Sequence, residues 1–230
     1  KYLSDLEAIL GKPITQLNPD RDFDYWLMIH NGFLPNSQAR WCTRKLKIHP
    51  FEEWVKPMIE NGYTVYSYVA IRADEEFREG YNSKDDKLIV KLPLKEAGID
   101  KAGVLELLER SGLGLPDYYE WRSRSGCTFC FFQQKIEWVR LKERHPEAFE
   151  EAKSYEKIST ASGSPFTWSE GESLEDMMRP ERVKQIKEDH IKRVERLKAK
   201  KQKNPLRPDD ESIDIDELYG QAKVCLSCHK

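Results

Sequence analysis

Four of the five cysteines in this chain fall in two matched pairs, Cys127 and Cys130 in Gly126-Cys-Thr-Phe-Cys130 and Cys225 and Cys228 in Val224-Cys-Leu-Ser-Cys228. A Cys-x-x-Cys turn points two thiolates at one ion or one cluster face. Two such turns therefore supply the four soft ligands that zinc or an iron–sulfur cluster takes. No other feature constrains the fold as much, because a shared four-thiolate site requires the last cysteines to return to a loop in the middle of the chain. A redox disulfide at either pair, or chance spacing, is the competing reading.

The remaining composition fits an intracellular protein. An odd and sparse set of cysteines belongs to a reducing compartment, where thiols serve metals or chemistry, and the expected location is cytoplasmic. No apolar run approaches the length of a membrane span, so no membrane partner is expected. The chain opens on Lys1-Tyr2-Leu3-Ser4, which is neither an initiator methionine nor a signal peptide. The net charge of -2 excludes a whole-chain electrostatic mandate for nucleic acid. Local charge is less even: residues 181–203 are strongly basic and end in Lys198-Ala-Lys-Lys-Gln-Lys203, whereas Asp209 to Glu217 is acidic. A solvated helix end followed by a linker accounts for this pattern, and a nucleic-acid surface on the 181–203 helix is the alternative.

The first half of the chain has an α/β rhythm. Tyr2 to Leu10 is expected to form an amphipathic helix, Gly11 to stop it, and Pro13 to Leu17 to follow as a buried strand. Asp22 to His30 reads as a helix broken by Asn31-Gly32, and Leu34 to Gln38 as a loop. Phe51 to Asn61 forms another helix, with Phe51, Trp54, Val55 and Met58 at helical spacing. Thr64 to Ile71 is the strongest strand, rich in β-branched and aromatic residues, and it ends at Arg72-Ala-Asp-Glu75, where a parallel sheet places its functional loop. Leu88 to Leu92 is a second strand, and Asp100 to Ser111 a helix capped by Asp100 and stopped by Gly112. After residue 115 the pattern turns mainly helical: Phe131 to Arg144 with Phe132, Ile136, Trp138 and Val139 toward a core, Pro146 to Ile158, and Glu181 to Lys200. Ser159 to Ser173 reads as a loop. Two regions result, an α/β region over 1–115 and a helical, metal-binding region over 116–230, in which residues 201–216 form a strap bringing the last cysteine pair back to the first.

Three stretches carry candidate chemistry. Arg40-Trp-Cys-Thr-Arg-Lys-Leu-Lys47 combines four cations with a thiol and a hydroxyl. Arginine forks and lysine ammonium groups suit phosphate or sulfate oxygens, so Arg40, Thr43 and Lys47 are candidate ligands if this loop opens a helix. The same positive charge would lower the pKa of Cys42 and make it a nucleophile or sulfur acceptor; a buried Cys42 with exposed basic neighbours is the structural alternative. In Arg72-Ala-Asp-Glu-Glu-Phe-Arg78, Arg72 and Arg78 either grip a phosphate while Asp74 or Glu75 orients them or contacts a ribose or magnesium ion, or simply pair with their own carboxylates. Around the first cysteine pair, the arginines of Trp121-Arg-Ser-Arg-Ser-Gly126 could touch a nucleotide or nucleic acid, and the aromatics of Phe131 to Trp138 could wall off the site.

Arg40 to Pro50, Ile71 to Glu75 with Arg78, and Ser125-Gly-Cys-Thr-Phe-Cys130 together resemble the phosphoadenosine phosphosulfate reductase-like superfamily over residues 1–160. The closest-looking branch includes the sulfurtransferase-like proteins of DNA phosphorothioation. The resemblance implies an adenine nucleotide alpha-hydrolase-like fold, a parallel sheet flanked by helices, followed here by a mainly helical C-terminal region. It implies action on ATP or a sulfonucleotide, with magnesium as a possible helper and a sulfur donor protein as a possible partner. It also implies a 4Fe-4S cluster on Cys127, Cys130, Cys225 and Cys228, with zinc as the alternative. The family's Ser-Gly-Gly-x-Asp-Ser phosphate loop does not occur in this sequence; Lys1-Tyr-Leu3 resembles the family's helix after its second strand. Nor does the chain end in the Glu-Cys-Gly-Leu-His tail of the assimilatory reductases. The expected activity is adenine-nucleotide-dependent sulfur transfer or sulfonucleotide processing. A catalytically inactive, metal-stabilised module that binds nucleic acid or a protein partner is the alternative.

Overall fold

A computed structural model describes residues 1–81, 85–123, 125–156 and 166–203, without side chains at 197, 198 and 200–203. The chain is a mixed helix and strand protein with a small parallel sheet. It divides into two compact units. Among the described residues the first holds Lys1–Asp20 and Cys42–Asp117, and the second holds Arg21–Trp41 and everything from Tyr118 onward. One division falls after Asp117, and Arg21–Trp41 belongs with the second unit.

In the first unit, α1 (Tyr2–Leu10) ends on Gly11, whose φ of 61° is the left-handed conformation that closes a helix. The strand expected over Pro13 to Leu17 does not form. The Ile14 N–H donates to the Glu7 carboxylate at 2.7 Å, so α1 takes the donor that a strand ladder would have used. The basic stretch expected as a loop is helical: α3 (Trp41–Thr43), a π-helical turn (Arg44–Ile48) and α4 (His49–Glu60) follow without a break. Pro50 has no N–H to donate, and the wide turn is closed by the His49 N–H donating to the Arg44 carbonyl five residues back. Val55 is buried in α4, whereas Trp54 is 45% exposed and lies off the inward face.

β1 (Val65–Tyr68) and β2 (Leu88–Lys91) pair in parallel, with Val65 opposite Leu88 and Tyr68 opposite Lys91. β2 leads into α5 (Pro93–Glu96) and α6 (Lys101–Arg110). Asp100 caps α6 by accepting from the Gly103 N–H at 2.9 Å, and Gly112 follows the helix with a φ of 72°. These local stop and start signals act within one turn of the chain, so the sequence reading and the fold agree there.

The second unit has the larger core. α2 (Phe23–Ile29) is capped by Asp22 and broken by Asn31 and Gly32, both at positive φ. It contributes Phe23 to a cluster with Trp41, Phe129, Tyr155 and Trp168, whose ring centroids lie 5.1–6.2 Å from that of Phe23. α7 (Lys135–Arg144) buries Ile136, Trp138, Val139 and Leu141, α8 (Pro146–Ser154) buries Phe149 and Ala152, and α9 (Leu174–Met177) buries Leu174 and Met177. α7 starts at Lys135 and not at Phe131, because a capping box of Gln134 and Glu137 fixes its first turn. Phe132 is consequently half-buried in the preceding turn. α10 (Pro180–Lys203) packs through Ile186.

A buried carboxylate and an ion-pair hub tie these helices together. Glu156 accepts from the backbone N–H groups of Trp168 at 2.9 Å and Leu174 at 2.7 Å, while burial pushes its carboxyl above the ordinary range. Glu172 accepts from Lys135 of α7 and from Arg182 of α10, and the hydrogen bond from Arg182 is the main reason its carboxyl is held down at about 2. A carboxyl with a lowered folded-state pKa stabilises the fold above its unfolded pKa and loses that contribution as pH falls toward the folded value. Glu172→Gln should therefore cost roughly 2–3 kcal/mol near neutral pH. In urea unfolding, the gap between variant and parent should hold down to about pH 5 and close on the way to about pH 2.

Candidate functional site

In the first unit, the turn after β1 gathers Arg72, Asp74, Glu75 and Arg78. Arg72 donates through Nε and Nη2 to both oxygens of Asp74 at 2.9 Å, a bidentate fork. Its backbone N–H donates to Glu75 Oε2 at 3.1 Å, and Arg78 Nη1 donates to Glu75 Oε1. Asp74 and Glu75 thus pair with the two guanidinium groups, the ion-pair arrangement that is the other reading of this stretch, and the carboxylates match the arginine charge locally. Gly80 closes the turn at a φ of 82°; a Cβ there would lie 3.4 Å from Ile71 Cδ1. Ile71 itself is 1% exposed and anchors the start of the turn.

Sequence reasoning missed Lys95. Its Nζ donates to the Glu76 carbonyl at 2.8 Å and to the Arg78 carbonyl at 3.4 Å, so α5, which follows β2, braces the turn that follows β1. The available signal was position alone: Lys95 lies just past the carboxyl end of the second parallel strand, as Arg72 lies just past the first.

Cys42 and Thr43, both half-buried, and the exposed Lys47 lie along α3 and the π turn of the first unit. π turns of this kind recur at functional sites. Arg40 belongs to the second unit, where its guanidinium lies 5.1 Å from the centre of the Phe132 ring and its Nε is buried without a hydrogen-bond partner.

The first cysteine pair lies on a loop of the second unit whose base is clamped. Glu137, 2% exposed, accepts from the Ser123 N–H at 2.7 Å and the Ser123 hydroxyl at 2.8 Å through Oε1, and from the Gln134 N–H at 2.9 Å through Oε2. The Gln134 amide donates back to Ser123 Oγ at 3.2 Å. Within the loop the Gln133 N–H donates to the Cys130 carbonyl at 2.8 Å. Cys127 is exposed and Cys130 half-buried, and neither is joined in a disulfide. Buried nearby are Arg122 and Gln133, and the Gln133 Nε2 has no hydrogen-bond partner. Two thiols on a loop whose base is clamped and lined by buried donors fit the ligation of a soft metal or cluster. Cys225 and Cys228 lie outside the described residues, and among those described no group of three or more His, Cys, Asp or Glu gathers to hold a metal. Of the strap expected over 201–216, residues 201–203 continue α10, and the rest lies outside the described residues with the acidic segment. Among the described residues no helix is long and apolar enough to cross a membrane.

No protein-family model, curated protein or solved structure matches this chain.

Proposed function

We propose that this protein is an adenine-nucleotide-dependent sulfur-transfer enzyme of the phosphoadenosine phosphosulfate reductase-like type, with an adenine nucleotide alpha-hydrolase-like first unit. The observation that supports this reading most is the parallel β1–β2 pair with its arginine turn at the carboxyl edge, braced by Lys95. Open α/β sheets bind their ligands outside the carboxyl ends of the strands. Arg72 and Arg78 have the geometry to exchange a carboxylate for a phosphate or sulfate, while Asp74 and Glu75 keep the forks aligned or take a magnesium ion. Thr43 and Lys47, expected from the basic composition of their stretch, are further anion ligands of this unit, and Arg40 carries the same expectation in the second unit. In the ATP-dependent version, adenylation turns a poor leaving oxygen into AMP, and an incoming sulfur displaces it; positive charge stabilises the departing phosphate. Cys42 is the thiol assigned to take sulfane sulfur from a donor protein's persulfide, which leaves as the thiol; the Cys42 persulfide then displaces AMP, and a reducing thiol cleaves the resulting S–S bond to free Cys42.

Cys127, Cys130, Cys225 and Cys228 would hold the 4Fe-4S cluster or zinc. When bound, a cluster supplies one-electron redox capacity, and either metal supplies a structural clasp. The full-length protein should release pyrophosphate from ATP under reducing, anaerobic conditions, and Arg72→Met should lower kcat by about 10²-fold. Absence of pyrophosphate release from the parent protein rejects the ATP-dependent reading.

One observation favours the alternative of a binding module: the Arg72 and Arg78 forks are already engaged by Asp74 and Glu75. On that reading the basic helix α10 would meet DNA or RNA. Binding that collapses with added salt and survives Cys42→Ser would identify it.

A further inference from the structure

The arginine before the first cysteine pair and the glutamine after it are not explained by the clamp at the loop base. Arg122 is 8% exposed and Gln133 is 7% exposed, although the loop they flank lies at the surface. Arg122 Nη2 donates to Gln133 Oε1 at 3.4 Å. The same nitrogen lies 3.3 Å from the position a Cβ would take on Gly126, the residue directly before Cys127. Gly126 thus lets a guanidinium approach the backbone of the Cys-x-x-Cys loop closely; a Cβ there would require it to give by a few tenths of an ångström. Gln133 spends its carbonyl oxygen on Arg122 and its backbone N–H on Cys130, which leaves the buried amide Nε2 as a donor with no partner.

Thiolates bound to zinc or an iron–sulfur cluster carry excess negative charge, and N–H donors and buried cations beside them raise metal affinity. We infer that Arg122 and Gln133 are positioning residues for the Cys127–Cys130 thiolates: a paired cation and amide that offset the charge of a bound soft metal and hold the loop in its ligating shape. The inference rests on the four-cysteine reading and adds to it two residues that ligate nothing. Glu137 has a different part. It ties Ser123 to Gln134 and fixes the loop ends, and its carboxylate is spent on those donors.

The test uses the full-length, reduced protein, stripped of metal and titrated anaerobically with cobalt(II) against a competing chelator. The thiolate-to-cobalt absorption band reports sulfur ligation directly, and thermal unfolding of the metal-free protein is measured alongside. Arg122→Met and Gln133→Met should each weaken cobalt binding by about 10–100-fold. Arg122→Lys, which keeps the charge, should stay nearer the parent. A purely structural role would lower the melting temperature of the metal-free variants and leave the competition midpoint in place; that result overturns the inference, as would unchanged midpoints and melting temperatures. If Arg122→Met does not fold, Gln133→Met and Arg122→Lys decide the matter by the same criteria. A parent protein that shows no thiolate-to-cobalt band overturns the four-cysteine reading itself, and the inference with it.

Discussion

If Cys127, Cys130, Cys225 and Cys228 hold one metal as proposed, serine in place of Cys127 should weaken its binding about a hundredfold, and serine in place of Cys225 should do the same. Structural zinc contributes roughly 10–16 kcal/mol to the folding of small metal domains. Losing one of four anionic ligands removes about 3 kcal/mol if that total is shared evenly, about a hundredfold in affinity. Metal analysis and visible absorption of anaerobically purified protein make the measurement. A brown parent with a broad band and colourless variants identify a cluster. A colourless parent with one zinc and metal-free variants identify a structural site. Retention of full metal content in Cys225→Ser, with loss in Cys127→Ser, would separate the two pairs and end the shared-site reading.

Trp138→Ala should produce the largest loss of stability among single substitutions outside the cysteines. Trp138 is 1% exposed on α7, and its ring centroid lies 6.0 Å from that of Trp168. Trp168 is held in turn by its indole N–H donating to the Ala152 carbonyl at 2.8 Å. Removing the Trp138 indole leaves a cavity in the core of the second unit beside Trp168, at a cost of about 3–5 kcal/mol. Trp54→Ala, at a position 45% exposed, should cost less, about 2 kcal/mol, because nearly half of that surface is already in water. Urea unfolding followed by near-ultraviolet circular dichroism compares the two; equal losses would contradict the burial assignment.

The helices that sequence alone located well are those whose ends carry their own chemistry. Asp22 and Asp100 accept from backbone N–H groups three residues on, and Gly11 and Gly112 take the left-handed conformation that ends a helix. Such signals are read within a single turn. The strand predicted at Pro13 to Leu17 failed for the complementary reason: a strand is completed by a distant partner, and the nearest acceptor for Ile14 was Glu7. Loop and helix were confused at Arg44–Ile48, where the basic composition gave no hint of a π turn closed by the His49 N–H on the Arg44 carbonyl.

The candidate sites divide along the same line. The arginine turn at the end of β1 and the cysteine pairs are local spacings of chemically distinctive residues, and they were visible before any fold was known. That Arg72 faces Asp74, that Lys95 braces their turn, and that Glu137 lies buried beneath the cysteine loop required the tertiary structure, because each depends on which backbone groups were brought within hydrogen-bonding reach. The same holds for Arg21–Trp41, which leaves its neighbours in the chain to place Phe23 and Trp41 in the aromatic core of the second unit. Capping and spacing act over a few residues and are written in the chain. Burial is decided by the whole set of apolar surfaces competing for one core, and no short stretch of sequence contains that competition.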